Sequence, residues 1–507
     1  MRSVQTNETP SGTPQTSLLA GSPWRPHFFS EAECHDLLHR LTRFARGGGT
    51  TGVTLRSRWA GNVRWARNQI STAGDVRMDW VTVERTIHGA RANVTINDTT
   101  DTALLAAAQD AECLVGLTRE ARDTVLETPI PLEPMLTPQL FSEATYQLDA
   151  EQRAALAHQL AQAAAQAGLL SAGYLEVAAT SIAALDTRGR VRYFQYTEAQ
   201  YSVTVRDPKG TGSGWAGVDS HDWTMIDAAH LSQVALEKCL QSRNPVAVEP
   251  GRYTTILEPQ AVCDFLSPLF CDDDLMDRTR NEQVWNALGP FFKTPPTQPQ
   301  PGFSKLGERV ADPRITISAD PMDPEAGFPP FNPKSGGAEW FFTQGGAVYH
   351  PATWIDQGVL TQLAYDRVYG ITSLGQPTGL PNSGAFRMSG GPTSVAEMVA
   401  TTKRGLLVTR LDSVLLLDSR SLLCRGYTRD GLWLIENGKI SKPVVNMVFT
   451  ESILFAWNNV EQLGPPQRAF HPHAPLPPED IHRQPQPVVV PPMKIRDFSF
   501  TALANAI

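Results

Sequence analysis

What the chain lacks narrows its function first. Its six cysteines, Cys34, Cys113, Cys239, Cys263, Cys271 and Cys424, are scattered and form no CxxC pair. That excludes a cysteine-rich zinc finger, argues against a disulfide framework and suits a reducing compartment. No apolar run approaches the ~20 residues of a membrane helix. The polar, Ser/Thr/Pro-rich stretch 1–26 has no apolar core of the kind a secretory signal carries. A cytoplasmic protein without a membrane partner is therefore expected. Positive charge is not in excess either. The formal net charge is -8, which speaks against nucleic acid as a partner. No period of 20–50 residues marks a solenoid. No G-x-S-x-G is present, and Asn382-Ser383-Gly384 reads as a turn rather than a nucleophile elbow. Gly210, Gly212 and Gly214 are not followed by GK[ST], so they predict a turn, not a phosphate loop.

What is present reads as an α+β protein. Its 507 residues exceed a single core, and 41% hydrophobic against 19% charged residues is a globular composition. Residues 1–26 read as a disordered tail. Residues 27–117 read as an N-terminal α/β domain. Ser30 with Glu33 forms a capping box, Leu37, Leu38, Leu41 and Phe44 make an apolar stripe, and Gly47-Gly48-Gly49 stops the helix. Short β-rich runs follow from 50 to 97, then a helix near 102–115. The Pro-rich, acidic stretch 118–147 reads as a linker. A central α/β domain, 148–250, should contain a helix at 150–167, strands at 174–181, 190–196 and 201–206, and a helix at 226–240. The last region, 251–507, reads as a β-rich domain with packed helices at 394–402 and 449–462. Within it, 285–337 and 464–492 are too rich in proline for much regular structure, and 493–500 reads as a strand. Limited proteolysis is expected to nick 118–147 or 285–337 first.

Several strings carry a resemblance. They are Gly210-Thr211-Gly212-Ser213-Gly214-Trp215, Gly251-Arg252-Tyr253 with Leu257-Glu258-Pro259, and Arg404-Gly405-Leu406-Leu407-Val408-Thr409-Arg410. Further on come Thr428-Arg429-Asp430-Gly431 with Ile435-Glu436-Asn437-Gly438-Lys439, then Phe449-Thr450-Glu451-Ser452 with Asn458-Asn459, and Val490-Pro491-Pro492-Met493-Lys494-Ile495-Arg496-Asp497-Phe498. In this order they resemble the TldD/PmbA (TldE) family of metallopeptidase-related proteins. The same residues also have local meanings. Glu436-Asn437-Gly438-Lys439 is an Asn-Gly turn between apolar runs, a hairpin signal.

The resemblance implies a zinc peptidase built on an HExxxH helix, with a glutamate to activate water and a cysteine in the C-terminal region to complete the site. The motif belongs just after Glu258-Pro259. This chain has Gln260-Ala261-Val262-Cys263-Asp264-Phe265-Leu266-Ser267-Pro268-Leu269 there, and no histidine between His230 and His350. The residues read as a packing helix, with Cys263 and Asp264 adjacent and diverging. No metal ligand and no catalytic residue is assigned, and no cofactor is expected in this chain. The resemblance then points to the PmbA/TldE-type member, a non-catalytic subunit that pairs with a TldD-like HExxxH subunit. Zinc is expected in that partner, and an unfolded peptide is the substrate. A homodimer is a further possibility for the chain alone. Two alternatives stand beside this: an independent hydrolase rebuilt around Cys263, Cys271 or Cys424, and a peptide-binding scaffold.

Other candidate sites have plainer readings. His35 and His39 stand one turn apart on a helix with Asp36 between them, but lie far from the region of the family's active site. Cys424 alone reads as a structural thiol. Cys271-Asp272-Asp273-Asp274 with Asp277 lacks the glycine turn of a calcium loop. His471, His473 and His482 lie in a Pro-rich stretch and receive no function.

Overall fold

The structure, a computed structural model, describes residues 28–117, 133–269, 305–333, 347–364, 375, 385–418, 421–471 and 485–504. The tail at 1–26, Cys271 with its acidic neighbours, Asn382-Ser383-Gly384, His473 and His482 lie outside the described residues.

Ser30 caps α1 (Glu31–Phe44) as the sequence predicts. Its hydroxyl accepts from the Glu33 N–H, and the Glu33 carboxylate accepts from the Ser30 N–H. β1 (Thr50–Ala66) and β2 (Gln69–Ile87) form a long hairpin, whose turn residues Arg67 and Asn68 sit at φ 51° and 63°. β3 (Ala90–Ile96), α2 (Asp101–Leu117), α3 (Ala150–Gln166), β4 (Leu170–Asp186), β5 (Val191–Arg206), β6 (Ser213–Ser220) and α4 (Ala228–Gln241) follow. The six strands make one antiparallel sheet in the order β3-β2-β1-β4-β5-β6. β1 and β4 pair from Gly52 opposite Asp186 to Ala66 opposite Ala172. Strands from either side of the stretch 118–147 thus share a sheet. The strands expected at 190–196 and 201–206 are one strand, because Thr197–Gln200 continue the ladder with β4.

Side chains alternate across this sheet. Val53, Leu55, Trp59, Val63 and Trp65 of β1 and Leu175, Val177 and Ala183 of β4 face the four helices. The opposite face carries Arg56, Arg58 and Glu176, which are buried or nearly so. Glu176, Gln200 and Asp219 stand directly across from one another on β4, β5 and β6. They therefore share that second, charged face.

From residue 251 the chain builds further sheets. β7 (Gly251–Leu257) leads into α5 (Pro259–Leu266). β8 (Ile317–Ala319) follows, and β9 (Phe331–Asn332) pairs with β10 (Ala347–Val348). Next come β11 (Ala352–Asp356), β12 (Val359–Leu360), β13 (Phe386–Met388), α6 (Val395–Ala400), β14 (Arg404–Val408), β15 (Leu411–Asp418), β16 (Leu423–Thr428), β17 (Leu432–Glu436), β18 (Lys439–Pro443), β19 (Met447–Ser452), α7 (Ile453–Asn458), β20 (Val460–Leu463), β21 (Gln467–Ala469), β22 (Val488–Val490) and β23 (Met493–Leu503). One sheet runs β12-β11-β8-β13-β22-β21. A larger one runs β15-β16-β19-β23-β7-β14-β17-β18, with β20 on β23. α5 packs between them: Val262, Phe265 and Leu266 share a core with Trp354, Phe386, Phe449, Trp457 and Phe498. The α+β class holds, strand-rich toward the C-terminus.

The predicted Asn-Gly hairpin joins β17 to β18, with Asn437 and Gly438 at φ 51° and 76°. The helix expected at 449–462 is present only in its middle, with strand on either side. Met447–Ser452 alternates buried and part-exposed positions and pairs with β16, leaving only Ile453–Asn458 helical. Tertiary pairing overrides the apolar helical spacing there.

Candidate functional site

The stretch where the resemblance leads one to expect a zinc helix is α5. Glu258 occupies its N-cap position and Pro259 its first turn, where a missing N–H leaves nothing unsatisfied. Ala261, Val262, Cys263, Phe265 and Leu266 are buried. The polar side chains tie the helix to its neighbours. Gln260 Nε2 donates to Asp264 Oδ1 (2.8 Å) and to Phe470 O (2.9 Å), and the Phe470 N–H donates back to Gln260 Oε1 (2.9 Å). The Cys263 thiol points to Phe470 O at 3.8 Å. Asp264 Oδ2 accepts from the Leu411 N–H at 2.9 Å. Burial pushes the Asp264 carboxyl up to about 7, against the opposing effect of Arg410 and these hydrogen bonds. The donor set does not fit zinc. It has no imidazole, and its thiol and carboxyl engage separate backbone groups. Among the described residues no group of three or more His, Cys, Asp or Glu side chains is placed to hold a metal ion.

Three of the sequence strings meet beside α5. Asp430 is buried at φ 55°. Its Oδ1 accepts from Ser213 Oγ (2.5 Å) and its Oδ2 from Arg410 Nη1 (2.8 Å). The Arg410 guanidinium lies 4.5 Å from the Trp215 ring centre, and Trp215 packs on Phe470 at 5.7 Å. Gly214 lets α4 approach β6: a Cβ there would lie 2.1 Å from Ala235 O. The remaining strings also form joints. The Lys238 ammonium donates to Glu258 (2.8 Å), Glu451 accepts from the Ser499 N–H (3.0 Å), and the Arg496 N–H donates to Asn459 O (3.0 Å). These contacts give the strings an architectural role.

β21 leads from α5 to a second place of chemical interest. Two residues before Phe470, Arg468 Nη2 donates to Asp219 Oδ2 at 2.6 Å. This pair borders a small cleft, partly open to solvent, on the charged face of the first sheet. Glu176, Glu198, Gln200 and His221 also line it. Arg58 Nη2 donates to Glu176 Oε1 (2.8 Å), Tyr174 Oη to Glu176 Oε2 (2.5 Å) and Gln200 Nε2 to Glu176 Oε1 (3.3 Å). Burial alone would raise the Glu176 pKa, but Arg58 and these hydrogen bonds hold it below the ordinary value. Burial, reinforced by Arg468, lowers the His221 pKa. The sequence reading missed this cleft. Its trace was Arg56 and Arg58 at alternate positions of β1 and Glu176 on β4.

The other sequence candidates separate. His35, Asp36 and His39 are exposed on α1, and Asp36 pairs with Arg40 at 3.6 Å. Cys424 is buried on β16, its Sγ 3.6 Å from Leu422 O, and burial pushes its thiol up to about 12. His471 is buried beside Phe470.

Residues 250–502 match the family profile described as the PmbA/TldA metallopeptidase C-terminal domain. Comparison with curated protein sequences finds no match. Among solved structures, TldE from Thermococcus kodakarensis superposes with a TM-score of 0.68 at 14% identity, covering 92% of this chain and 99% of its own. A candidate DNA gyrase modulator from Thermotoga maritima gives 0.67 at 14%, covering 93% and 100%. Another from Bacteroides thetaiotaomicron gives 0.67 at 16%, covering 93% and 98%. At such identities the likeness establishes the fold. With the profile match and the ordered strings, it follows that the chain belongs to the PmbA/TldD family of metallopeptidase-related proteins.

Proposed function

We propose that this chain is a non-catalytic subunit of a peptide-processing protease, completed by a TldD-like subunit that carries HExxxH and holds the zinc. One observation carries this reading. The helix at the family's metal position has no histidine, and its Gln260, Cys263 and Asp264 face internal partners. The likeness in fold to TldE supports the same role. The subunit's part would be to shape the cleft and exclude water while the partner supplies the reactive centre. The buried Cys263 and Cys424 speak against a rebuilt thiol hydrolase, since a nucleophile must be reached by substrate and ionise.

The test mixes the purified chain with an HExxxH-bearing relative and follows cleavage of an unfolded peptide. Cleavage is expected only in the mixture and should stop with a chelator. Elemental analysis of the chain alone should find no stoichiometric zinc. Chelator-resistant cleavage by this chain alone, or failure of the two chains to associate at micromolar concentration, would overturn the proposal.

A further inference from the structure

The cleft on the charged face has polar atoms that the fold leaves unanswered. Asp219 is 3% exposed, and while its Oδ2 accepts from Arg468, its Oδ1 is buried with no hydrogen-bond partner. Glu198 Oε2 is likewise buried without one; it faces Arg58 Nε at 3.5 Å outside hydrogen-bond geometry. A buried carboxylate oxygen without a donor is costly, so folds seldom leave one unless something else supplies the donor. Three carboxylates, Glu176, Glu198 and Asp219, stand with Arg58 and Arg468, and Arg56 is buried on the same face beside Tyr196. His221 adds no compensating cation, because its protonation is disfavoured by burial and by Arg468. The cleft thus keeps two buried carboxylate oxygens without a donor. Arg468 Nε is a buried donor without a partner at its rim.

We infer that this cleft is a subsite for a cationic group of a bound peptide, a lysine or arginine side chain or the amino terminus, held by Asp219 Oδ1 and Glu198 Oε2. Arg468 Nε is available to a peptide carbonyl next to that group. The position suits peptide handling. Arg468 sits on β21, whose next residues are fixed to α5 by the reciprocal Gln260–Phe470 hydrogen bonds, so the subsite is rigidly tied to the helix at the family's catalytic position. The inference rests on the peptide-processing reading and adds the substrate's charge to it.

The experiment uses the whole chain and fluorescent, unstructured peptides that differ at one position, lysine against the uncharged norleucine, each with a free or an acetylated amino terminus. Fluorescence anisotropy should show the doubly uncharged peptide binding about tenfold or more weakly than a peptide that keeps one cationic group. A preference that follows the lysine assigns the site to a side chain. One that follows the free terminus assigns it to the α-amine, and both support the inference. Glu198→Gln and Asp219→Asn should each erase most of the preference. Asp219→Asn keeps an acceptor for Arg468, and near-UV circular dichroism checks its fold. If that variant misfolds, Glu198→Gln alone decides. Equal binding of all four peptides to the unaltered chain overturns the subsite but leaves peptide handling standing. A preference that survives both substitutions places the cation elsewhere and also overturns it. If no peptide binds, the inference falls, and the subunit reading is decided separately by mixing with the HExxxH relative.

Discussion

Asp264 titrates where a surface carboxylate would not. Its folded-state pKa, about 7, lies above the ordinary aspartate value, chiefly through burial. A raised carboxyl pKa means the folded chain holds the proton more tightly than the unfolded one. Its contribution is therefore fully present below about pH 4 and is lost as pH rises to about 7. Asp264→Asn removes the titration. The stability of the unaltered chain relative to this variant should fall across that window by roughly 1–3 kcal/mol, the part-exposed side chain keeping some solvation. Urea titrations of both proteins at several pH values measure the difference, and parallel pH profiles would contradict it. Asp430 sits between Ser213 and Arg410 and accepts a hydrogen bond from each. Asp430→Ala should cost about 2–4 kcal/mol, because it leaves a guanidinium and a hydroxyl without their acceptor. A midpoint shift in the same titration reports it.

At the scale of elements, the long strands depend on local clearance. Gly173 of β4 lies beneath Trp65 of β1, and a Cβ there would stand 2.0 Å from the indole. Gly173→Ala should destabilise by about 1–3 kcal/mol through overpacking. Gly74 on β2 has nothing within 4 Å of such a Cβ, so Gly74→Ala should stay within about 0.5 kcal/mol. Comparable losses for the two would mean that backbone propensity, not the indole contact, decides. Local signals also explain which elements were legible. The Ser30–Glu33 box fixed the start of α1, and Asn437-Gly438 fixed the turn after β17, because both rest on neighbours in sequence. Phe449–Ser452 was misread as helix because the partner strand, Leu423–Thr428, is distant in sequence and invisible to a local pattern.

At the scale of the molecule, β1 and β4 are the seam of the first sheet. A fragment beginning at residue 148 would lose β1, β2 and β3 and leave β4 unpaired along its whole register with β1. Such a long, apolar, open edge is a template for association. The fragment should elute as aggregate in size-exclusion chromatography, whereas the full chain should not. A monodisperse, folded fragment would show that the part from 148 onward stands alone, as the sequence division at 118–147 suggested.

The sequence by itself determined the family, the α+β class and the missing histidines, because ordered strings, capping boxes, turn pairs and the absence of a residue type are linear properties. Only the tertiary structure decided what those strings are for. Ser213, Arg410 and Asp430 belong to three separate strings, and it takes the meeting of β6 with the end of β14 and the start of β17 to join them into one network. The cleft is a stronger case. Glu176, Glu198, Asp219 and Arg468 come from β4, β5, β6 and β21, and no spacing along the chain links them. Strand register sets the first three on one face, and the Arg468–Asp219 bond holds the fourth against them, since long-range pairing rather than local preference fixes which charges meet.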